Sequence, residues 1–102
     1  MEYYNRAFII VKNTGNKRFI SDVLVSLGNV SLNKKDYQKA EEYYTKALPL
    51  LDTIKDFQAT AKTIMNLGLV FFYTGKLDKA LDCFERSAAI NEKLGDNHLN
   101  VI

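Results

Sequence analysis

Displacing the sequence by 40 residues against itself sets like on like at a few positions, and no other feature narrows the fold so far. Leu27-Gly28-Asn29-Val30 falls on Leu67-Gly68-Leu69-Val70, and Lys39-Ala40 falls on Lys79-Ala80. Glu2-Tyr3-Tyr4-Asn5-Arg6-Ala7 falls on Glu42-Tyr43-Tyr44-Thr45-Lys46-Ala47. A displacement of 80 sets Gly15-Asn16 on Gly95-Asp96, with Lys55-Asp56 between them. Most other aligned positions differ, so agreement is confined to sites where packing geometry tolerates few residue types.

Each repeating unit reads as two helices. Ile20, Val23, Leu24, Leu27 and Val30 recur at three- and four-residue spacing between Arg18 and Asn33, one apolar face of a helix. Ala61, Ile64, Leu67, Phe71 and Tyr73 repeat that face between Phe57 and Thr74. The second helices run from Tyr37 to about Thr53, with Ala40, Tyr44, Ala47, Leu48 and Leu51, and from Leu77 to Leu94, with Ala80, Cys83, Phe84, Ser87, Ala88 and Ile90. Asn33-Lys34-Lys35-Asp36 and Thr74-Gly75-Lys76 break the pattern between them. Gly75 suits the left-handed residue that ends a helix, and Asp36 or Asp78 suits the start of the next. Pro49, inside the Tyr37–Thr53 helix, predicts a local kink or an early end, because it removes a backbone donor and crowds the Thr45 carbonyl. With one Pro and five Gly, the chain has few other breakers, and no strand is expected.

The repeated residues resemble the tetratricopeptide signature, an aromatic-x-x-Leu-Gly-x-x-Tyr run followed by Ala-x-x-x-Phe-x-x-Ala. The first unit has Leu24-x-x-Leu27-Gly28-x-x-Ser31, then Ala40-x-x-x-Tyr44-x-x-Ala47. The second has Ile64-x-x-Leu67-Gly68-x-x-Phe71, then Ala80-x-x-x-Phe84-x-x-Ser87. In physical terms, Gly28 and Gly68 let two helices approach, Ala40 and Ala80 do so from the facing helix, and Tyr44 or Phe84 fills the adjacent gap. The resemblance implies an all-α fold, a right-handed superhelical solenoid of antiparallel helix pairs. The period of 40 exceeds the family's usual value of about 34, and the signature Pro is missing. The chain is therefore similar to the long-repeat branch, found in kinesin light chains, spindle-orientation adaptors and bacterial peptide-sensing regulators.

In this register residues 1–16 are the second helix of a preceding truncated repeat, 17–56 repeat one, 57–96 repeat two, and 97–102 the start of a further helix. The extra length falls at Thr53-Ile54-Lys55-Asp56 and Lys93-Leu94-Gly95-Asp96. A solenoid unit buries its apolar face against its neighbours, so Ile9, Ile10, Val11, Leu99, Val101 and Ile102 are expected to drive self-association through the ends of a fragment of a longer protein.

Several function classes are excluded by composition. A net charge of +2, from 14 basic and 12 acidic residues interspersed, does not build the concentrated field that grips a phosphate backbone, so no nucleic-acid partner is expected. Ala7-Phe8-Ile9-Ile10-Val11 is far short of the roughly 20 residues of a membrane span, so no membrane partner is expected either. One cysteine forms no internal disulfide and no zinc site. Cys83 reads as a small buried hydrophobe and His98 as an exposed helix residue. Glu41 and Glu42 point about 100° apart on a helix and do not converge. The six tyrosines, Tyr3, Tyr4, Tyr37, Tyr43, Tyr44 and Tyr73, mostly occupy packing positions. No phosphate loop, metal cluster or nucleophile elbow is visible, so the chain reads as non-catalytic and free of cofactor and metal.

What the resemblance implies instead is a protein or peptide ligand bound on the concave surface lined by first helices. By position the lining is Asp22, Val25, Ser26, Asn29 and Asn33 in repeat one, and Lys62, Met65, Asn66, Leu69 and Tyr73 in repeat two. Asn29 and Asn66 stand out, since an amide can both donate to and accept from a peptide backbone. Val25 and Met65 stand where a carboxylate-clamping cation would be expected, so an acidic chaperone-type tail is not. The leading expectation is a module of a scaffold or adaptor in the cytoplasm. The alternative is a ligand-sensing or dimerising segment of a bacterial transcription regulator or sensor kinase, periplasmic in the sensor case, which the Lys-, Asn- and Ile-rich composition slightly favours.

Overall fold

The computed structural model describes residues 16–99, with side chains through Gly95. Four helices follow one another: α1 (Lys17–Asn33), α2 (Tyr37–Thr53), α3 (Phe57–Tyr73) and α4 (Leu77–Leu99). Among the described residues there is no strand. Neighbouring helices in sequence are neighbours in space, α1 on α2, α2 on α3 and α3 on α4, and no Cα of α1 comes within 8 Å of one of α4. The fold is an all-α solenoid of helix pairs. Residues 1–15 and 100–102, including Ile9, Ile10, Val11, Val101 and Ile102, lie outside the described residues, as do the side chains of His98 and Leu99.

The three turns share one hydrogen-bond pattern. In the first, the Asp36 amide donates to the Ser31 carbonyl at 2.8 Å and the Lys35 amide to that of Leu32 at 2.9 Å. Asp56 with Leu51 and Lys55 with Asp52 repeat this, as do Lys76 with Phe71 and Gly75 with Phe72. These pairs are the Schellman motif, which satisfies carbonyls left open at a helix end and needs one residue at positive φ. That residue is Lys35 (φ 63°), Lys55 (φ 58°) and Gly75 (φ 82°). Gly75 was expected there; the two lysines were not. The next helix is capped by the following residue in the first two turns: Asp36 accepts from the Lys39 amide at 3.4 Å, and Asp56 from the Ala59 amide at 3.1 Å. Lys76 holds the corresponding position before α4, where Asp78 supplies an acid in the first turn instead.

Apolar spacing becomes burial along both pairs. Leu24, Leu27, Ala40, Tyr44, Ala47 and Leu51 are buried in the first, and Ala61, Ile64, Leu67, Phe71, Ala80 and Cys83 in the second. One cluster, with Ala40 and Tyr44 from α2 and Ile64, Leu67, Val70 and Phe71 from α3, welds the units together. Leu27, fully buried, contributes about 2–3 kcal/mol by area alone. The Gly28 contact explains the glycine: a Cβ there would lie 2.5 Å from Cε1 of the buried Tyr44 ring. At Gly68 it would lie 2.8 Å from Cε1 of Phe84 and 3.0 Å from Cβ of Cys83.

Four expectations need correction. Tyr73 and Ala88, read as core, are exposed, Tyr73 to 57%. Of the two outcomes expected at Pro49, a kink or an early end, the early end does not occur, because α2 runs to Thr53. Pro49 and Thr45, whose carbonyl loses its donor, are both exposed, so the unpaired carbonyl can be solvated, and the Thr53 hydroxyl donates to the Pro49 carbonyl at 2.9 Å. Finally, α4 does not end at Leu94 but continues through Gly95 to Leu99. Continuing costs about 1 kcal/mol for a helical glycine and keeps backbone bonds that a turn would give up.

Candidate functional site

The first helices of the two units, α1 and α3, are tied together by their asparagines. The Asn66 Nδ2 donates to the Asn29 Oδ1 at 3.2 Å, and the Tyr44 hydroxyl donates to the same oxygen at 2.5 Å. Three helices therefore meet at one acceptor: α1 brings Asn29, α2 Tyr44 and α3 Asn66. Burial pushes the Tyr44 phenol up to about 12, while the Asn66 side chain acts in the opposite direction. The node leaves Asn29 Nδ2 and Asn66 Oδ1 without a partner among the described residues. Both asparagines were expected to face a ligand with their whole amides. Half of each amide is spent on holding the helices.

Around this node the other lining candidates divide. Met65, 44% exposed, stands one residue from Asn66, and Leu69 is half-buried on the same helix. Val25 is half-buried against Ile20, Leu24, Ala47 and Leu51, so packing claims much of it. Ser26 is half-buried and Asp22 exposed. Lys62 faces a separate cleft with Gln58, Asn91, Leu94 and Gly95, made by the long C-terminal end of α4. Asn33, Leu69 and Tyr73 converge at the far end of the pair, where they line a cleft of about 590 Å³ with Leu32, Lys35 and Tyr37.

Lys35 and Tyr37 are absent from the sequence-derived lining because they belong to the turn and the second helix. Their signal was the adjacency of Lys34-Lys35 to an aromatic residue. Also missed was the Arg18–Asp56 ion pair at 2.9 Å, which joins the start of α1 to the cap of α3. The Arg18 guanidinium and the Ala59 amide hold the Asp56 carboxyl below its ordinary range.

None of this is a catalytic constellation. Cys83 is buried, and burial pushes its thiol up, the wrong direction for a nucleophile. No group of three or more His, Cys, Asp or Glu among the described residues could hold a metal ion. No described helix is long and apolar enough to cross a membrane.

The tetratricopeptide repeat profile matches residues 61–94, and a second profile of that description matches residues 21–50. The matched segments begin 40 residues apart, as do α1 and α3. Superkiller protein 3 of Schizosaccharomyces pombe is 36% identical over 83 residues, covering 78% of this chain and 6% of that protein. The human intraflagellar transport protein 88 homolog is 33% identical over 100 residues, covering 94% of this chain and 12% of that protein. The chain thus spans a small part of the length of these relatives. The crystal structure of BtubC (BKLC) from P. vanneervenii superposes with a TM-score of 0.86 at 22% identity, covering 92% of this chain and 39% of that one, and shows the same fold. With both profiles seated on helix pairs that carry the Leu-Gly and Ala positions, the chain belongs to the tetratricopeptide repeat family.

Proposed function

We propose that this chain is a non-catalytic, peptide-binding module of a longer scaffold, and that the surface shared by α1 and α3 is where the peptide lies. One observation carries the reading. The Asn66–Asn29 bond joins the first helices of both units into one continuous surface, and it leaves an amide donor and an amide acceptor free beside the exposed Met65. A peptide backbone offers the matching acceptor and donor, and an apolar flank beside paired amides suits recognition of an extended segment. The extended similarity to parts of much longer proteins supports the scaffold half of the reading.

The test is a screen of immobilised peptides against the chain and its Asn66→Ala and Met65→Lys variants, with thermal melts as fold controls. The reading expects ligands whose binding falls at least about tenfold in either variant. Ligands indifferent to both variants would place binding elsewhere on the molecule. Self-association through the ends belongs to the same reading, supported by Leu77 and Leu81, about 60% exposed on α4. Sedimentation across a micromolar dilution series tests it, and a monomer throughout would end it.

A further inference from the structure

The cleft at the far end of the helix pair has a chemistry of its own. Leu32 and Leu69 give it an apolar floor, and Tyr37 and Tyr73 stack as its wall, ring centroids 5.5 Å apart and planes 21° from parallel. Asn33 and Lys35 form the rim. Phe72, 54% exposed, meets Tyr73 edge-on at 5.6 Å, so the aromatic wall continues onto open surface. Exposed aromatic rings beside an apolar floor leave much apolar area in water that a partner would cover.

Charge says which partner. Among the described residues neither Lys34 nor Lys35 has a carboxylate within 4.0 Å, whereas Lys76 on the third turn is paired with Glu41 at 3.8 Å. The nearest acid in sequence, Asp36, is engaged in capping α2. The rim therefore offers the Lys35 ammonium and the Asn33 amide next to a site for a flat apolar side chain, with the exposed Lys34 between them in the same turn. Its volume falls within the range of ordinary ligand sites.

We propose that this cleft anchors the bound peptide, taking an aromatic side chain of a linear segment whose following residues are acidic. The inference rests on the peptide-binding reading above and adds the ligand's chemistry to it. The aromatic ring lies against Tyr73 over Leu32 and Leu69, and the carboxylates that follow it meet Lys34 and Lys35. Single-stranded nucleic acid is disfavoured because the site has one stacking platform and only the Lys34–Lys35 pair of cations, too few to follow a phosphate backbone.

The experiment is a titration of the isotope-labelled 102-residue chain, followed by nuclear magnetic resonance. The probe is the blocked peptide acetyl-Gly-Phe-Asp-Glu-Gly-amide. The comparison peptide carries Asn-Gln in place of Asp-Glu, and a ten-nucleotide oligothymidylate is run in parallel. The expected result is a saturable shift at residues 32–37 and 69–73, with the acidic peptide bound at least about fivefold more tightly than its neutral counterpart at low salt. Lys35→Glu and, separately, Lys34→Glu then shrink that preference, and Tyr73→Ala weakens both peptides about tenfold. All three residues are exposed, and unchanged melting curves confirm that the variants fold. Equal affinity for the two peptides, or tighter binding of the oligonucleotide at the same residues, overturns the proposal. Shifts confined to Asn29, Met65 and Asn66 overturn the anchor while leaving the peptide-binding reading intact. No shift with any peptide at millimolar concentration overturns the anchor, and the peptide screen then decides the broader reading separately.

Discussion

In the first helix pair Tyr44 lies over Gly28 and gives its hydroxyl proton to Asn29; in the second Phe84 lies over Gly68, and Leu69 stands where the asparagine would be. The ring and its acceptor have changed together, polar with polar and apolar with apolar. A second exchange runs across the same interfaces. Ser21 on α1 and Ala47 on α2 occupy the positions that Ala61 on α3 and Ser87 on α4 hold in the next unit. All four are fully buried. Ser21 satisfies its hydroxyl within its own helix, donating to the Arg18 carbonyl at 2.8 Å, while Ser87 reaches across to the Ala61 carbonyl at 2.8 Å. At these two pairs of positions the units conserve hydrogen-bond satisfaction rather than residue identity. The comparison also sorts the asparagines. Asn29 is bound up with Tyr44, so its first duty is structural, while Asn66 has no such partner on its own helix pair.

The sharpest way to break the comparison is at the glycines. Gly28→Ala is expected to destabilise by about 2–3 kcal/mol, because the Tyr44 ring it meets is wholly buried and cannot move aside. Gly68→Ala should cost about half as much, since Phe84 is only half-buried and swings more easily. Urea denaturation of both variants checks the ratio. Equal losses would mean the two contacts are equally rigid.

Next in size is the node itself. Asn29→Leu alone should cost about 1–2 kcal/mol by removing the acceptor of a buried phenol. Adding Tyr44→Phe, which copies the second unit's pair, should recover about 1 kcal/mol in a double-mutant cycle. The raised Tyr44 pKa has a sign that can be read separately. The folded state prefers the neutral phenol, so this contribution is whole below about pH 10 and is lost as pH rises toward 12. Tyr44→Phe should flatten that alkaline decline.

Copying in the other direction should stabilise. The Thr63 hydroxyl is buried without a hydrogen-bond partner, and the first unit has Val23 there. Thr63→Val is expected to add about 1 kcal/mol. At the cap of α3, Asp56→Ala should cost about 1 kcal/mol at neutral pH. Because its folded pKa is lowered, the wild-type advantage should be complete above the ordinary carboxylate range and fade as pH falls through the folded value. Smallest of all, Lys55→Gly should add a few tenths to about 1 kcal/mol by relieving a lysine at positive φ, whereas Gly75→Ala should subtract a similar amount. Melting temperatures measured side by side would rank these four.

Which of these features the sequence could display follows from the range of the forces involved. Gly28, Ala40, Tyr44 and their counterparts were legible because close packing admits few residues there and the repeat shows the same choice twice. Lys35 and Lys55 were not, since lysine carries no local signal for the left-handed region; only their alignment with Gly75 points to it. The end of α4 misled for the opposite reason. Gly95-Asp96 aligns with a real turn at Lys55-Asp56, yet local signals are too weak to choose between helix and turn without the contacts of whatever packs there. At the site, position alone placed Asn29 and Asn66 on one surface. That they bond to each other depends on how α1 and α3 are set side by side, which no pattern within either helix encodes.

The absence of any approach between α1 and α4 has a kinetic consequence. Structure in such a chain can begin at any adjacent pair and spread by nearest-neighbour steps, with no long loop to close. It should also come apart in the same stepwise manner. Amide hydrogens of α2 and α3, each flanked on both sides among the described helices, should exchange more slowly than those in the last turn of α4. A ligand that bridges α1 and α3 would then act as a clasp across the seam between the two units.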